Sequence, residues 1–251
     1  MSRPAYFDRF ENLEMTREGG ILEIAMHSEG EKILFSGRAH HEFVDAFYEI
    51  GRDPDNRVVI WTGRGDAWID EIDRSSVDDI TRPSVWEEIR RDGIRSLQNL
   101  LEIDAPIICV VNGPARIHSE WVLLSDIVLA APHAVFQDRH LVDGPIVAGD
   151  GAHVLWPLVL GPTRGRYFLL TQQELDAVEA HRLGVVNEVL PDEELMPRAR
   201  SLARELVRLP DLTLRYTRAC LVERLKRELH AGLGVGLALE GLSAAALAEP
   251  R

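Results

Sequence analysis

Short runs of apolar, largely β-branched residues punctuate the chain at 21–26, 58–61, 107–111, 127–131 and 185–189, and they narrow its possible folds more than any other feature. Each is bounded by turn-forming residues and too short for an ordinary helix, so each reads as a buried strand. Between them, apolar positions recur at helical spacing over residues 39–50, 86–101, 163–171 and 174–184. That alternation predicts an α/β fold. Beyond Pro191 the strand-like runs stop. Leu195, Leu202, Leu206 and Val207 mark one helical face, and residues 214–225 mark another. The chain therefore divides into a core over residues 1–190 and a helical region over residues 191–251.

Residues 231–247 are mostly Ala, Gly and Leu with little charge. A segment expected outside the main core with that composition calls for a cover, and a second subunit supplies one, so a homo-oligomer is expected. Forty-one acidic against 28 basic residues leave a formal charge of −13, which repels a nucleic-acid backbone. No run approaches the roughly 18 apolar residues that cross a bilayer, so no membrane association is expected. The first 14 residues carry charges and no apolar targeting core, which makes a cytoplasmic protein the expectation. Cys109 and Cys220 sit in apolar surroundings and read as buried thiols rather than a disulfide or a nucleophile.

Several stretches, taken in order, carry a family resemblance. They are Arg57-Val58-Val59-Ile60-Trp61-Thr62-Gly63, Ala105-Pro106 running through Asn112-Gly113-Pro114-Ala115, Ser125-Asp126-Ile127-Val128-Leu129-Ala130, and Ala177 through Val189. In order and spacing the chain resembles the crotonase (enoyl-CoA hydratase/isomerase) superfamily. The resemblance implies a crotonase-like α/β spiral of ββα repeats, a helical C-terminal oligomerisation region, and homotrimers or hexamers. It also exposes departures. Acyl-CoA hydratases of the family carry a glycine-rich run after the Asn-Gly strand, with a glutamate just beyond. Here Ala115-Arg116-Ile117-His118-Ser119-Glu120-Trp121 places His118 at the middle glycine and Trp121 at the glutamate. The other oxyanion segment becomes Asp70-Glu71-Ile72-Asp73, without its glycine, within an acidic stretch that reads as a solvated loop.

A smaller branch, the β-diketone hydrolases typified by oxocamphor hydrolase, is closer. That likeness runs through Ala39-His40, Asn112-Gly113-Pro114, His118, Phe136-Gln137-Asp138, Gly149-Asp150-Gly151-Ala152-His153-Val154 and Trp156-Pro157. It implies a His/Asp pair that activates water, falling on His118 and Asp150, and a further histidine beside the substrate, falling on His40. His140, displaced by one residue from its expected place, and Phe35, where the branch has a tryptophan, become substrate-binding candidates together with Trp121 and Glu240.

Those residue types suit hydrolysis of a β-diketone. Water adds to one carbonyl, and the carbon–carbon bond breaks to expel an enolate stabilised by the other. A neutral His118 takes the proton of water near pH 7 while Asp150 fixes its tautomer, so activity is expected to fall as His118 becomes protonated. His40 then serves the enolate. Periodicity supports an inward His40, which shares a helical face with Phe43, Val44 and Phe47, whereas His41 aligns with Asp45 and Tyr48. The bland alternatives are a buried His40 bonded to a backbone carbonyl, a His118 that caps a helix, an Asp150 that only shapes a Gly-Asp-Gly turn, and a solvent-facing His140. No metal or organic cofactor is required. The rival reactions are acyl-CoA hydration or isomerisation with His118, Asp150 or Glu120 in new roles, and metal-assisted hydrolysis.

Overall fold

The computed structural model describes residues 3–76 and 79–249. After a short 3-10 turn at Ala5–Asp8, the chain forms β1 (Leu13–Glu18), β2 (Ile21–Met26), β3 (Leu34–Phe35), α1 (Gly37–Arg52), β4 (Val58–Gly63), β5 (Glu71–Ile72), α2 (Pro83–Glu102) and β6 (Ile107–Val111). It continues through α3 (Ser119–Val122), β7 (Ile127–Ala130), β8 (Val135–Phe136), α4 (His140–Asp143), α5 (Ala152–Leu160), α6 (Pro162–Thr171), β9 (Leu175–Asp176), α7 (Ala177–Arg182) and β10 (Glu188–Val189). Two helices, α8 (Asp192–Leu206) and α9 (Asp211–Ala246), complete it. This is the α/β order that the apolar runs predict.

The main sheet has the order β1-β2-β4-β6-β7-β10, parallel except for the β1–β2 hairpin. Ile24, Trp61, Cys109 and Val128 line up across four of its strands. Alternation divides the strands between two cores. Val59 and Trp61 face the larger one, while Val58 and Ile60 face Leu195, Ala199 and Ala203 of α8. With both faces covered, the strands have to be nearly continuous apolar runs, which is why they are legible in the sequence.

Short second strands of successive turns stack beside this sheet. Phe35 pairs in parallel with Ile72, Ile69 with Ala115, and Ala115 with Phe136. The chain thus winds as a spiral, and the residues just after these short strands emerge at one level. That level is where the candidate site lies. The starts of the helices are set locally: Ser36 Oγ accepts the Ala39 amide 3.0 Å away at the head of α1, and Asp176 caps α7 through the Glu179 amide at 2.8 Å.

The sequence expectation that the C-terminal region lies outside the main core is corrected. Leu229, Leu233 and Leu237 of α9 are buried in the larger core. Arg218, also buried, bonds Asp126 at 2.7 Å and the Ile103 carbonyl, and Trp86 of α2 donates to the Leu237 carbonyl at 3.0 Å. Glycines let the helix come close: a Cβ on Gly241 would lie 2.2 Å from Trp86, and one on Gly236 2.3 Å from the Gly149 carbonyl oxygen. By length and composition, α9 is also apolar enough to cross a bilayer, contrary to the reading of the sequence. Its buried Arg215, Arg218 and Glu240 instead pack within this subunit. Cys220 is exposed, a second correction, while Cys109 is buried as expected.

Candidate active site

A cavity of about 440 Å³ opens at that common level. Its apolar wall includes Phe35, Ile72, Ile89, Leu97, Ile117 and Leu237, and its polar end gathers His40, His118, Asp138, His140, Asp150 and Glu240. These polar groups come from α1, the head of α3, the β8–α4 junction, the turn before α5, and α9. Only a folded spiral closed by α9 brings them together.

His118 caps α3 with φ 49° and ψ 38°, a left-handed conformation that a non-glycine residue adopts at a cost of roughly 1–2 kcal/mol. The position is one that favours glycine, and the contacts of the ring hold the histidine there. The ring stacks on Trp121, with centroids 4.4 Å apart and planes 15° apart, and runs parallel to His40 at 5.6 Å. Phe35 packs against it at 4.6 Å. Nδ1 of His118 lies 2.7 Å from Glu120 Oε1 and 3.4 Å from Asp150 Oδ2. Both contacts run through Nδ1, so Nε2 is uncommitted among the described residues.

His140, at the start of α4, holds Asp138 Oδ2 at 3.0 Å through Nδ1, while its Nε2 is 3.4 Å from both Asp150 Oδ2 and Glu240 Oε1. Asp150 therefore stands between the two histidines. The flanking glycines allow this: Gly151 adopts φ 114°, and a side chain on Gly149 would meet the Gly236 backbone. Among the described residues, Nε2 of His40, Oε2 of Glu240 and both carboxylate oxygens of Asp150 are buried without a hydrogen-bond partner, unsatisfied polar atoms at the polar end of the cavity.

Burial and charge set the protonation pattern. Burial disfavours a charged His118, but Glu120 and Asp150 together outweigh it and raise its pKa to about 9. His140 is likewise raised against burial, by Asp150 and Asp138. Asp150 is held well below the usual carboxylate range, because its two histidines overcome its burial. Burial pushes Glu240 up to about 7, with the Asp150 charge adding to it and His140 opposing. Burial and the Asp150 charge likewise raise Glu120 to about 7, against the pull of His118. Burial, then the charge of His118, lowers His40 to about 3 and keeps it neutral.

The structure thus brings together His40, His118, His140, Asp150, Phe35 and Glu240, as the sequence candidates require. A second carboxylate, Glu120, joins Asp150 beside His118, and together they favour its protonated form over the neutral base expected from the sequence. One expectation is corrected. Trp121 is fully buried beneath the His118 ring and off the cavity wall, so it supports that ring rather than touching a substrate. Two contributors lie outside the predicted site: Glu120, named in the sequence only for the rival acyl-CoA reaction, is the partner of His118, and Asp138 is that of His140. Each lies two residues from its histidine, a spacing that a tight turn converts into contact. Within the acidic loop, Asp70 pairs with Arg116 at 2.8 Å and Glu71 with Lys32 at 2.6 Å.

His118, Glu120 and Asp150, and separately Asp138, His140 and Asp150, bring donor atoms within 4.8 Å of one another, a spacing that could hold a metal ion. The same distances are those of histidine–carboxylate ion pairs.

Comparison with known proteins agrees with this architecture. The family model for enoyl-CoA hydratase/isomerase matches residues 16–240. A β-diketone hydrolase from the cyanobacterium Anabaena sp. PCC 7120, solved with (S)-3-oxocyclohexyl acetic acid bound, is 53% identical with a TM-score of 0.97, covering 99% of this chain and 100% of that one. Carnitinyl-CoA dehydratase of Salmonella arizonae is 32% identical over 88% of this chain and 87% of its own length. Human enoyl-CoA delta isomerase 2 is 28% identical over 88% of this chain, which spans 57% of that protein's length.

Proposed function

The chain belongs to the enoyl-CoA hydratase/isomerase (crotonase) family, and from that premise we propose that it is a hydrolase cleaving a carbon–carbon bond of a β-diketone to give a keto acid. The observation that carries this reading is His118, a ring set beside two carboxylates in a glycine-like backbone conformation at the polar end of a compact apolar cavity. A thioester oxyanion approaches backbone amides closely, and the ring occupies that space. The amides of Arg116 and Ile117 are moreover spent on the Ile69 carbonyl at 2.9 and 3.1 Å. Arginines on the cavity wall have their charge committed: Arg116 to Asp70 and Glu174, Arg74 and Arg139 to Asp143. They offer poor partners for the phosphates of CoA. The likeness to the Anabaena enzyme supports the same substrate class.

In this mechanism the base is Glu240, whose raised pKa makes it a stronger base than an ordinary carboxylate while leaving it partly ionised near pH 7. It takes a proton from water, and the oxygen adds to one substrate carbonyl. The His140 imidazolium, anchored by Asp138 and Asp150, stabilises the oxyanion. Collapse breaks the carbon–carbon bond, leaving a carboxylic acid and an enolate. His118 gives its proton to that enolate, and neutral His40 hydrogen-bonds the remaining carbonyl oxygen. Asp150 steadies both imidazolium rings. One water is consumed, the proton taken by Glu240 returns to His118 through solvent to restore both groups, and neither CoA nor a redox partner enters.

Incubating the protein with a panel of cyclic β-diketones and acyl-CoAs, with products read by mass spectrometry, tests the proposal. Keto acids from one or more diketones are expected. Efficient turnover of crotonyl-CoA with no diketone consumed would favour the acyl-CoA alternative. We further propose a homotrimer or hexamer, supported by the apolar surface that α9 leaves open at Leu221, Val235 and Leu242, which are 69%, 64% and 67% exposed.

A further inference from the structure

A second buried carboxylate behind the proton donor has no part in the steps above. Glu120 is 1% exposed, stands off the cavity wall, and places Oε1 2.7 Å from His118 Nδ1, nearer than the 3.4 Å of Asp150. The stack on Trp121 fixes the plane of the His118 ring but leaves open which ring edge faces the cavity. A carboxylate at hydrogen-bond distance from Nδ1 decides it: Nδ1–H is donated backwards and Nε2–H is presented to the cavity.

We infer that Glu120 is a positioning residue, which fixes the His118 ring as a hydrogen-bond and proton donor toward the substrate without touching the substrate itself. The inference rests on the hydrolase reading above. The other groups facing His118 cannot replace Glu120. Asp150 is shared with His140, His40 is neutral and stacked rather than bonded, and Glu240 lies against His140. The burial of Glu120 also fits a role carried by a short, rigid contact rather than by a mobile surface charge.

The test replaces the charge while keeping the shape. In Glu120→Gln the amide oxygen still accepts from Nδ1–H, so the ring orientation survives but its electrostatic support is lost. In Glu120→Ala both are lost. NMR titration of 13Cε1-labelled histidine, without substrate, is expected to show His118 losing its proton at least about one pH unit lower in Glu120→Gln than in the parent protein, the scale on which a nearby opposite charge acts. With a diketone, the alkaline limb of kcat should move down by the same amount while KM changes little, and Glu120→Ala should lose about 10²-fold in kcat, the low end for a general acid. Circular dichroism confirms folding of each variant. An unmoved His118 titration in folded Glu120→Gln overturns the inference, as does a shifted titration with an unmoved alkaline limb. If the parent protein turns over no diketone, the hydrolase reading fails, and the titration alone then decides whether Glu120 governs His118.

Discussion

Substituting Gly236 by Ala probes the dependence of the site on the close approach of α9. A Cβ there would lie 2.1 Å from His153 Cε1 and 2.3 Å from the Gly149 carbonyl oxygen, where ordinary contact begins at 3.4 Å. The His153 ring can swing aside. The Gly149 carbonyl cannot, because it belongs to the turn that sets Asp150. Either α9 recedes by about 1 Å, withdrawing Glu240 one turn further on, or the turn shifts and takes Asp150 with it. Both lengthen contacts to His140 Nε2 that already stand at 3.4 Å. Misplacing a reacting group by about 1 Å costs about 10²-fold in rate, and overpacking of this kind costs about 1–3 kcal/mol in stability. Gly234→Ala is the control, since its Cβ would meet nothing within 4 Å and alanine is the better helix former by about 1 kcal/mol. Steady-state kinetics on a diketone and thermal melts of both variants provide the assay. Parental kcat in Gly236→Ala, or an equal loss in both variants, would refute the reasoning.

The pH dependence of kcat has two limbs with defined signs. Glu240, raised to about 7, must be ionised, so kcat rises as pH increases through that region, whereas His118, raised to about 9, must be protonated, so kcat falls above it. A profile highest at pH 5 would contradict the Glu240 assignment, and a rate that does not fall above about pH 9 would contradict that of His118. His118→Ala and Asp150→Asn should each lower kcat by about 10²–10⁴-fold, with the double variant well short of the product of the two losses because they act as one unit; full multiplicativity would separate them. Charged substitutions on the open face of α9, such as Leu221→Glu with Leu242→Glu, should shrink the assembly seen by light scattering. An unchanged particle size would remove that face as the interface.

Legibility in the sequence followed burial. Residues 107–111 are buried on both faces of the sheet, so an apolar run alone marks the strand, and α1 declares its inward face through Phe43, Val44 and Phe47. By contrast β1 alternates buried and exposed positions with charged residues between, and β3 and β8 span two residues each, too few for any period to register. Residues 152–160 are apolar apart from His153, with Pro157 inside, so α5 shows no stripe, and the run at 185–189 pairs only at Glu188–Val189 because Val185 turns back to bond Ala180. In the site, His40, His118 and Asp150 could be named because the resemblance fixes their positions. Their protonation could not be, because it depends on how many carboxylates converge on each ring. Glu120 meets His118 through a tight local turn, whereas Glu240 reaches His140 only through the packing of α9.

The most direct test of carbon–carbon hydrolysis is a single turnover of a cyclic β-diketone in H₂¹⁸O with the product read by mass spectrometry. The expected result is a ring-opened keto acid carrying one ¹⁸O, located in the carboxylate, formed equally well in the presence of a metal chelator and without CoA. A diketone recovered intact, or labelled only by exchange of its carbonyl oxygens with the ring still closed, would contradict it.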